Sequence, residues 1–475
     1  MDAVIVGSGP NGLAAALVLA KAGLQVTVYE AAELPGGGTR TRELTRPGFA
    51  HDVCSATHPM ALASPFFRAF DLAAHGVELL VPELSYAHPL DDGRAGLAWR
   101  DLDRAADGLG RDGAAWARLF GPLTERWTGV VDAAMGDLRH PPADLRAAVT
   151  LAARIAEQGS PLWNFRFRED TAPAMFAGLA GHAIAPMPGF LPAAAGMLLG
   201  TLAHVGGWPI PRGGSRRITE ALVTELEKLG GTLITGHRVR SLHELPKATA
   251  TLLNLTPKGF TELTGVPYAR RFRYGAGSCK VDFALSGPVP WTNPDCALAP
   301  TLHLVGSQSE ARLAERAISR GRHAARPYVL AAQPGVLDDG RAPAGQHTLW
   351  SYAHVPHGSA VDVTAQIIAQ IERFAPGFRD LILDTHVITA AEQETYNPNY
   401  VGGDIGGGAM TPWQAIARPA PRGNPYRTPV PGVYLCSAST PPGGGVHGMA
   451  GVHAATRVLK EHFGTYTDPL ELLRC

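Results

Sequence analysis

Charge is scarce in this chain, and the shortage narrows its class. Only 18% of its 475 residues are Asp, Glu, Lys or Arg, and 42 basic residues balance 42 acidic ones. No basic block and no basic stripe interleaved with aromatics occurs, which argues against a nucleic-acid surface. Cysteine is scarce too. Cys54, Cys279, Cys296, Cys436 and Cys475 are scattered and odd in number. They form no C-x-x-C pair and no His/Cys/Asp group has ligand spacing, so neither a disulfide framework nor a metal site is expected. That usage fits a reducing cytoplasm. No G-x-S-x-G nucleophile elbow is present. Unbroken apolar runs are also missing. The 41 residues of 171–211 contain no Lys, Arg, Asp or Glu, but prolines interrupt them. The longest proline-free piece, 193–208, falls short of the about 20 residues a membrane span needs. Three readings of 171–211 stand: buried core with loops, the wall of an apolar pocket, or a patch resting on a membrane surface. No leader peptide is expected, because the first strand pattern starts within a few residues of Met1.

What is present begins at once. Val4-Ile5-Val6 is an apolar run, followed by Gly7-Ser8-Gly9-Pro10-Asn11-Gly12 and the helix former Leu13-Ala14-Ala15-Ala16-Leu17. Gln25-Val26-Thr27-Val28-Tyr29 reads as a second strand ending on Glu30. This is a βαβ dinucleotide-binding unit with its context intact. Gly7 allows the tight turn, Gly9 admits a pyrophosphate, and Gly12 lets the helix pack on the strand. Pro10 and Asn11 open a helix whose free N–H groups favour phosphate. Glu30 is placed to accept hydrogen bonds from a ribose diol. An acid there disfavours a 2′-phosphate, which leaves FAD or NAD. Gly108-Leu109-Gly110-Arg111-Asp112-Gly113 matches the same glycine pattern, but no buried strand precedes it. It reads as a loop before a helix at 114–120.

The rest of the chain divides by pattern. Residues 61–205 show no alternating β pattern and read as helical, with helices at 114–120 and 145–157. A helix after Ser215 carries Ile218, Leu222, Leu226 and Leu229 on one face. Strands follow at 232–235 and 237–239, and a buried strand at 251–257. Short strands fill 280–350, and 365–374 is helical. Gly432–Thr440 reads as a strand, 441–449 as a glycine turn, and 450–460 as a helix. This second glycine turn can stabilise negative charge, such as the N1/O2 edge of a reduced flavin, or be an ordinary βα turn.

Several segments together resemble the phytoene desaturase/amine oxidase-type flavoproteins, most of all the bacterial phytoene dehydrogenase-like oxidoreductases. They are Glu30 with Pro35-Gly36-Gly37-Gly38-Thr39-Arg40-Thr41, then Pro47-Gly48-Phe49-Ala50-His51-Asp52. Asn397-Pro398-Asn399-Tyr400-Val401-Gly402-Gly403-Asp404-Ile405-Gly406-Gly407-Gly408 and the turn at 441–449 complete the set. The resemblance implies FAD. It sets Gly37, Gly38, Thr39 and Arg40 by the pyrophosphate and Val239 against the adenine. Ser439, Gly444, Gly445 and Met449 would lie along the isoalloxazine. Ser437 stands where that family usually has glycine, and its small side chain should still allow the close approach.

An α/β fold is therefore expected, with a Rossmann-like FAD-binding domain from about 1–60, 206–275 and 396–475. A discontinuous α+β substrate domain would take about 61–205 and 276–395. By resemblance, Lys280 would hold a water or reacting group at flavin N5; the plain alternative is a lysine at a strand start. Asp404 and His447 are the next catalytic candidates. Asp404 can instead cap a turn, and His447 can be a hydrogen-bonded packing residue. His51, Asp52, His58, His354 and His357 are weaker. No second dinucleotide fingerprint appears, so the electrons would leave to oxygen, a quinone or a bound product. The expected reaction is hydride removal from an apolar, polyene-like small molecule to form a double bond. Amine oxidation, reduction and isomerisation stay open, as does a flavin-binding scaffold without turnover.

Overall fold

The computed structural model describes residues 1–137 and 141–474, so Cys475 lies outside the described residues. The expected βαβ unit is there: strand Ala3–Val6, helix Pro10–Lys21 and strand Val26–Tyr29. The strand is wholly buried, and the helix buries Asn11 through Ala20. Its sequence has no charged residue before Lys21 because it is covered on all sides. Burying a side chain such as Leu13 or Leu17 stabilises by about 1.5–3 kcal/mol.

Five parallel strands form the first sheet, in the order Val433–Leu435, Ala250–Leu253, Ala3–Val6, Val26–Tyr29, Thr232–Ile234. Two expectations are corrected here. Residues 237–239 are not a strand, and the closing strand is three residues long. Gly236, at φ +67°, turns the chain out of the sheet before His237. Helix Met449–His462 follows the closing strand and packs against helix Pro10–Lys21. The contact is close: a Cβ on Gly451 would lie 1.9 Å from the Asn11 carbonyl oxygen. The decoy motif at 108–113 follows a helix, Leu102–Asp107, and leads into another, Gly113–Thr124.

The second sheet has seven strands, in the order Ile382–Ile388, Gly277–Leu285, His347–Val355, Val329–Ala332, Thr301–Leu304, Leu84–Pro89, Ala95–Trp99. All neighbours are antiparallel except the parallel pair Leu84–Pro89 and Thr301–Leu304. The last two strands correct the helical reading of 61–205. Leu84–Pro89 is buried at every residue, so it shows no alternation, and the buried face of Ala95–Trp99 carries only Gly96 and Ala98, while Leu97 and Trp99 lie on the part-exposed face. Among the described residues, no second parallel sheet of the nucleotide-binding kind occurs.

A buried ion cluster ties strand Ala50–Asp52 to the loops at 213–215 and 338–341. Arg341 is 1% exposed; its Nε donates to Asp338 at 2.6 Å and its terminal nitrogen to Asp52 at 3.0 Å. Asp52 also accepts from the Thr41 hydroxyl at 2.6 Å and the Ser215 amide at 2.8 Å. Asp338 accepts from the Gly213 amide at 2.8 Å. Burial alone would raise the Asp52 pKa. The Arg341 charge, the Thr41 hydroxyl and the Ser215 amide outweigh it and hold the carboxyl below its ordinary value.

Candidate active site

One continuous cavity of about 1310 Å³ runs from the first glycine turn to the seven-stranded sheet. Ordinary small-molecule pockets hold about 300–1,000 Å³, so there is room for a dinucleotide and a second molecule. Gly7, Gly9, Pro10, Asn11, Glu30, Gly37, Gly38, Arg40 and Val239 line one end. Asp404, Ser437, Ser439, Gly444 and Gly445 line the middle. The far chamber is walled by helix Phe190–Val205 and by Leu330, Trp350 and Tyr352 from the sheet.

The turn fits a pyrophosphate. Helix Pro10–Lys21 has no side-chain cap at Gly9, so its first amides stay open to the cavity. The buried Asn11 Oδ1 has no partner. Gly12 does not line the cavity: a Cβ there would sit 2.1 Å from the Gly7 carbonyl oxygen. It sets the helix-to-strand distance on which the turn depends. Glu30 is 8% exposed and accepts four donors: the Ser8 amide and hydroxyl, the Ala32 amide, and Arg40 at 3.1 Å. Its carboxylate therefore fixes the turn and Arg40 as well as facing the cavity. Ser437 turns its hydroxyl onto the Leu255 carbonyl at 2.7 Å, away from the close approach. Thr39 and Met449 are buried beside the cavity without lining it. Thr39 bonds Thr219 at 2.7 Å, and Met449 joins the core between the two helices.

The three catalytic candidates fall in different places. His447 is fully buried, and backbone takes both of its ring nitrogens. Nδ1 accepts from the Met449 amide at 3.0 Å, and Nε2 donates to the Gly443 carbonyl at 3.1 Å. It is the hydrogen-bonded packing residue of the two readings, stapling the second glycine turn. Asp404 does line the cavity. Its carboxylate accepts from the Gly275 amide at 2.6 Å and the Gly406 amide at 2.9 Å, which joins the 396–408 segment to the start of strand Gly277–Leu285. Burial raises its pKa despite these bonds and the nearby Arg418.

Lys280 is 2% exposed, bonds Asp282 on its own strand, and is not part of the cavity wall. Its ammonium lies 5.7 Å from the centre of the Trp350 ring, which is part of that wall. Of the weaker candidates, His51 faces Asp282 at 3.5 Å, His58 bonds Ser215 and His354 bonds Glu315. His357 bonds the Gly275 carbonyl. Lys280→Met is expected to cost about 3–5 kcal/mol, because it strands the buried Asp282 charge. Adding Asp282→Leu should recover most of that loss. Denaturant unfolding of the flavin-loaded variants measures both, and a single variant as stable as its parent would refute the pairing.

Two site residues escaped the motif reading. Arg418 is 6% exposed, lines the cavity and donates to the Gly408 carbonyl at 3.0 Å. Burial lowers its pKa to about 10 against the pull of Asp404. Added Cβ atoms at Gly408 and Gly443 would meet its terminal nitrogens at 2.5 and 3.0 Å. The two glycine segments thus leave room for one buried cation beside the second turn. The other is His182, on the far chamber wall. Neither sits in a recognisable motif.

Buried neutral histidines set a pH limit. Burial lowers His58, His88, His204 and His447 to about 4. An unfolded histidine titrates near 6.5, so between about pH 4 and 6.5 the unfolded chain binds more protons. Stability should therefore be full above about pH 6.5 and fall as pH drops toward 4. Thermal unfolding across this window tests it, and a flat profile would contradict it.

Residues 5–74 match the family model of the NAD(P)-binding Rossmann-like domain. A rat protein named pyridine nucleotide-disulfide oxidoreductase domain-containing protein 2 is 25% identical over 97% of this chain and 93% of its own length. Hydroxyneurosporene desaturase of Cereibacter sphaeroides is 29% identical over 60% of this chain and 54% of its own. Cyclohexylamine oxidase from Brevibacterium oxydans superposes with a TM-score of 0.60 at 15% identity, covering 97% of this chain and 99% of that one. The chain is an oxidoreductase of the Rossmann-type FAD fold. The residues that would hold FAD in this oxidoreductase are the uncapped helix at Pro10, Gly37 to Arg40, and the turn stapled by His447. No helix of the described residues is long and apolar enough to cross a membrane. The uncharged 171–211 stretch divides between two uses. Helix Thr171–Gly181 is core, while Leu191, Ala194, Ala195, Leu198 and Leu199 form the cavity face of helix Phe190–Val205.

Proposed function

We propose that this oxidoreductase removes a hydride from one carbon of an apolar, isoprenoid- or polyene-like substrate and a proton from the next, the hydride passing to bound FAD and the proton to solvent, and leaves a new double bond between them. The observation that carries the reading is the far chamber: an uncharged helix face opposite Leu330, Trp350 and Tyr352, continuous with the dinucleotide end of the same cavity. Bound FAD supplies the hydride acceptor. The chain's own residues hold an extended apolar molecule by burial and keep water away from the reacting carbon. Arg418 would place positive charge beside the second glycine turn, available to stabilise negative charge on a bound cofactor. Asp404 orients the 404–408 backbone. Lys280 acts behind the wall, holding Trp350 in place.

The desaturase among the relatives favours this reading. One observation favours a second, amine oxidation. Trp350 and Tyr352 present an edge-to-face aromatic pair, with centroids 5.2 Å apart, to the same chamber, and such a pair can flank an amine. Anaerobic mixing of the flavin-loaded protein with isoprenoid hydrocarbons and with primary amines separates the two. Bleaching of the flavin by an isoprenoid, with loss of two hydrogens in the product's mass, is expected. Bleaching by amines alone would favour amine oxidation, and no bleaching by either would favour a scaffold.

A further inference from the structure

The far chamber contains one polar side chain whose arrangement the apolar reading does not use. His182 follows helix Thr171–Gly181 and lines the cavity beside Trp208, whose ring it meets edge-on at 5.3 Å. Its Nε2 lies 2.9 Å from Nε2 of His303, which is fully buried. Two facing nitrogens share one proton, so one ring donates and the other accepts.

The surroundings of His303 decide which. Its Nδ1 is buried without a partner. It faces Gly178 so closely that a Cβ there would lie 2.6 Å away, leaving no room for a water. Tyr86, Trp208 and Tyr328 close round the ring. An N–H at Nδ1 would point at Gly178 with no acceptor, an arrangement folded proteins avoid. A bare lone pair tolerates that contact better. His303 therefore carries its proton on Nε2 and donates it to His182. Burial and the neighbouring His354 keep His182 neutral, lowering its pKa to about 3. A neutral His182 that accepts at Nε2 has its proton on Nδ1. That nitrogen has no protein partner among the described residues and is not among the fully buried atoms.

The turn that holds His182 is strained. Ile184, two residues on and also on the wall, sits at φ +46°, a conformation that β-branched residues rarely adopt. Such strain persists where the surroundings impose it and clusters at binding sites.

We infer that His182 presents an Nδ1–H donor to the far chamber, and that the substrate is an apolar chain bearing an acceptor oxygen, a carbonyl or a hydroxyl, at the end which reaches it. The inference rests on the apolar-substrate reading and narrows it. A donor in a dry wall rejects a chain that leaves it unpaired.

Three probes of one skeleton test it on the flavin-loaded protein: farnesene, farnesal and farnesol, with binding read from the flavin spectrum and tryptophan quenching. The parent is expected to hold farnesal and farnesol about tenfold tighter than farnesene. His182→Phe should erase that preference, bringing the three probes to within about twofold of one another. His182→Gln, which keeps an N–H donor, should retain part of it. Equal binding of the three probes by the parent overturns the inference and leaves the apolar pocket standing. Failure of all three to bind overturns both. Nitrogen-15 shifts of the parent's histidine rings give a check that needs no variant. His182 should be protonated at Nδ1, and protonation at Nε2 would overturn the assignment.

Discussion

Gly12→Ala is expected to yield protein that has lost most of its flavin after dialysis. The added methyl has nowhere to go: its position lies 2.1 Å from the Gly7 carbonyl oxygen and 3.1 Å from Asn254 Nδ2. The nearest atom is backbone of the turn itself, so a rotamer change cannot relieve the clash. Either the helix lifts off the strand or the turn opens, and both move the amides that face the pyrophosphate. Overpacking of this kind costs about 1–3 kcal/mol, and losing it from binding weakens FAD by roughly 10- to 100-fold. The fold should survive, because helix Pro10–Lys21 keeps its buried face. The comparison is flavin content and dissociation constant beside far-ultraviolet circular dichroism. Full flavin retention would show that the turn tolerates the shift and that Gly12 is not what sets the phosphate site.

Arg341→Met should produce a large loss of stability away from the cofactor. It removes the cation that bonds two buried carboxylates, Asp52 and Asp338, which are 2% exposed each. Breaking a buried pair costs about 3–5 kcal/mol, because the stranded charge stays in a poor solvent. The acid limb should move as well. In the parent, the Asp52 pKa is depressed. Its contribution is therefore present above the ordinary carboxylate pKa of about 3.9 and lost as pH falls through the folded value. Without Arg341 the carboxyl is no longer held down, so unfolding in acid begins at higher pH. Denaturant midpoints at neutral pH and acid titrations of both proteins measure the two effects. A midpoint change below about 1 kcal/mol would mean that the cluster is better solvated than its burial implies.

Why some of this was legible in the sequence and some not has a physical basis. The βαβ unit and its glycine turn are local: strand period, turn chemistry and helix run occur within Val4 to Glu30. The second glycine turn was equally plain. The strand at Leu84–Pro89 was missed because burial on both faces removes the alternation that marks a strand, and Ala95–Trp99 because its buried face carries only Gly96 and Ala98. Residues 237–239 looked β-like by composition, yet the left-handed Gly236 takes them off the sheet. For the site, residue type and spacing found Asp404 and His447 but not their duties. The backbone partners that occupy both nitrogens of His447 are set by the fold of its own turn. Lys280 stood out by family resemblance; its partner Asp282, only two residues on, makes it a buried pair behind Trp350. Arg418 and His182 belong to no motif. They gain their position from Gly408, Gly443 and His303, which tertiary structure alone brings to them.

The contact between Gly451 and Asn11 has a consequence for synthesis. The central strand of the parallel sheet is made long before one of the sheet's two edge strands, Val433–Leu435, and before the helix that covers Pro10–Lys21. While the ribosome is still translating, the nucleotide turn has its glycines but neither the stapled second turn nor the covering helix. A polypeptide ending before residue 449 therefore lacks the helix that covers Pro10–Lys21, and the apolar face of its first helix is left open to chaperones.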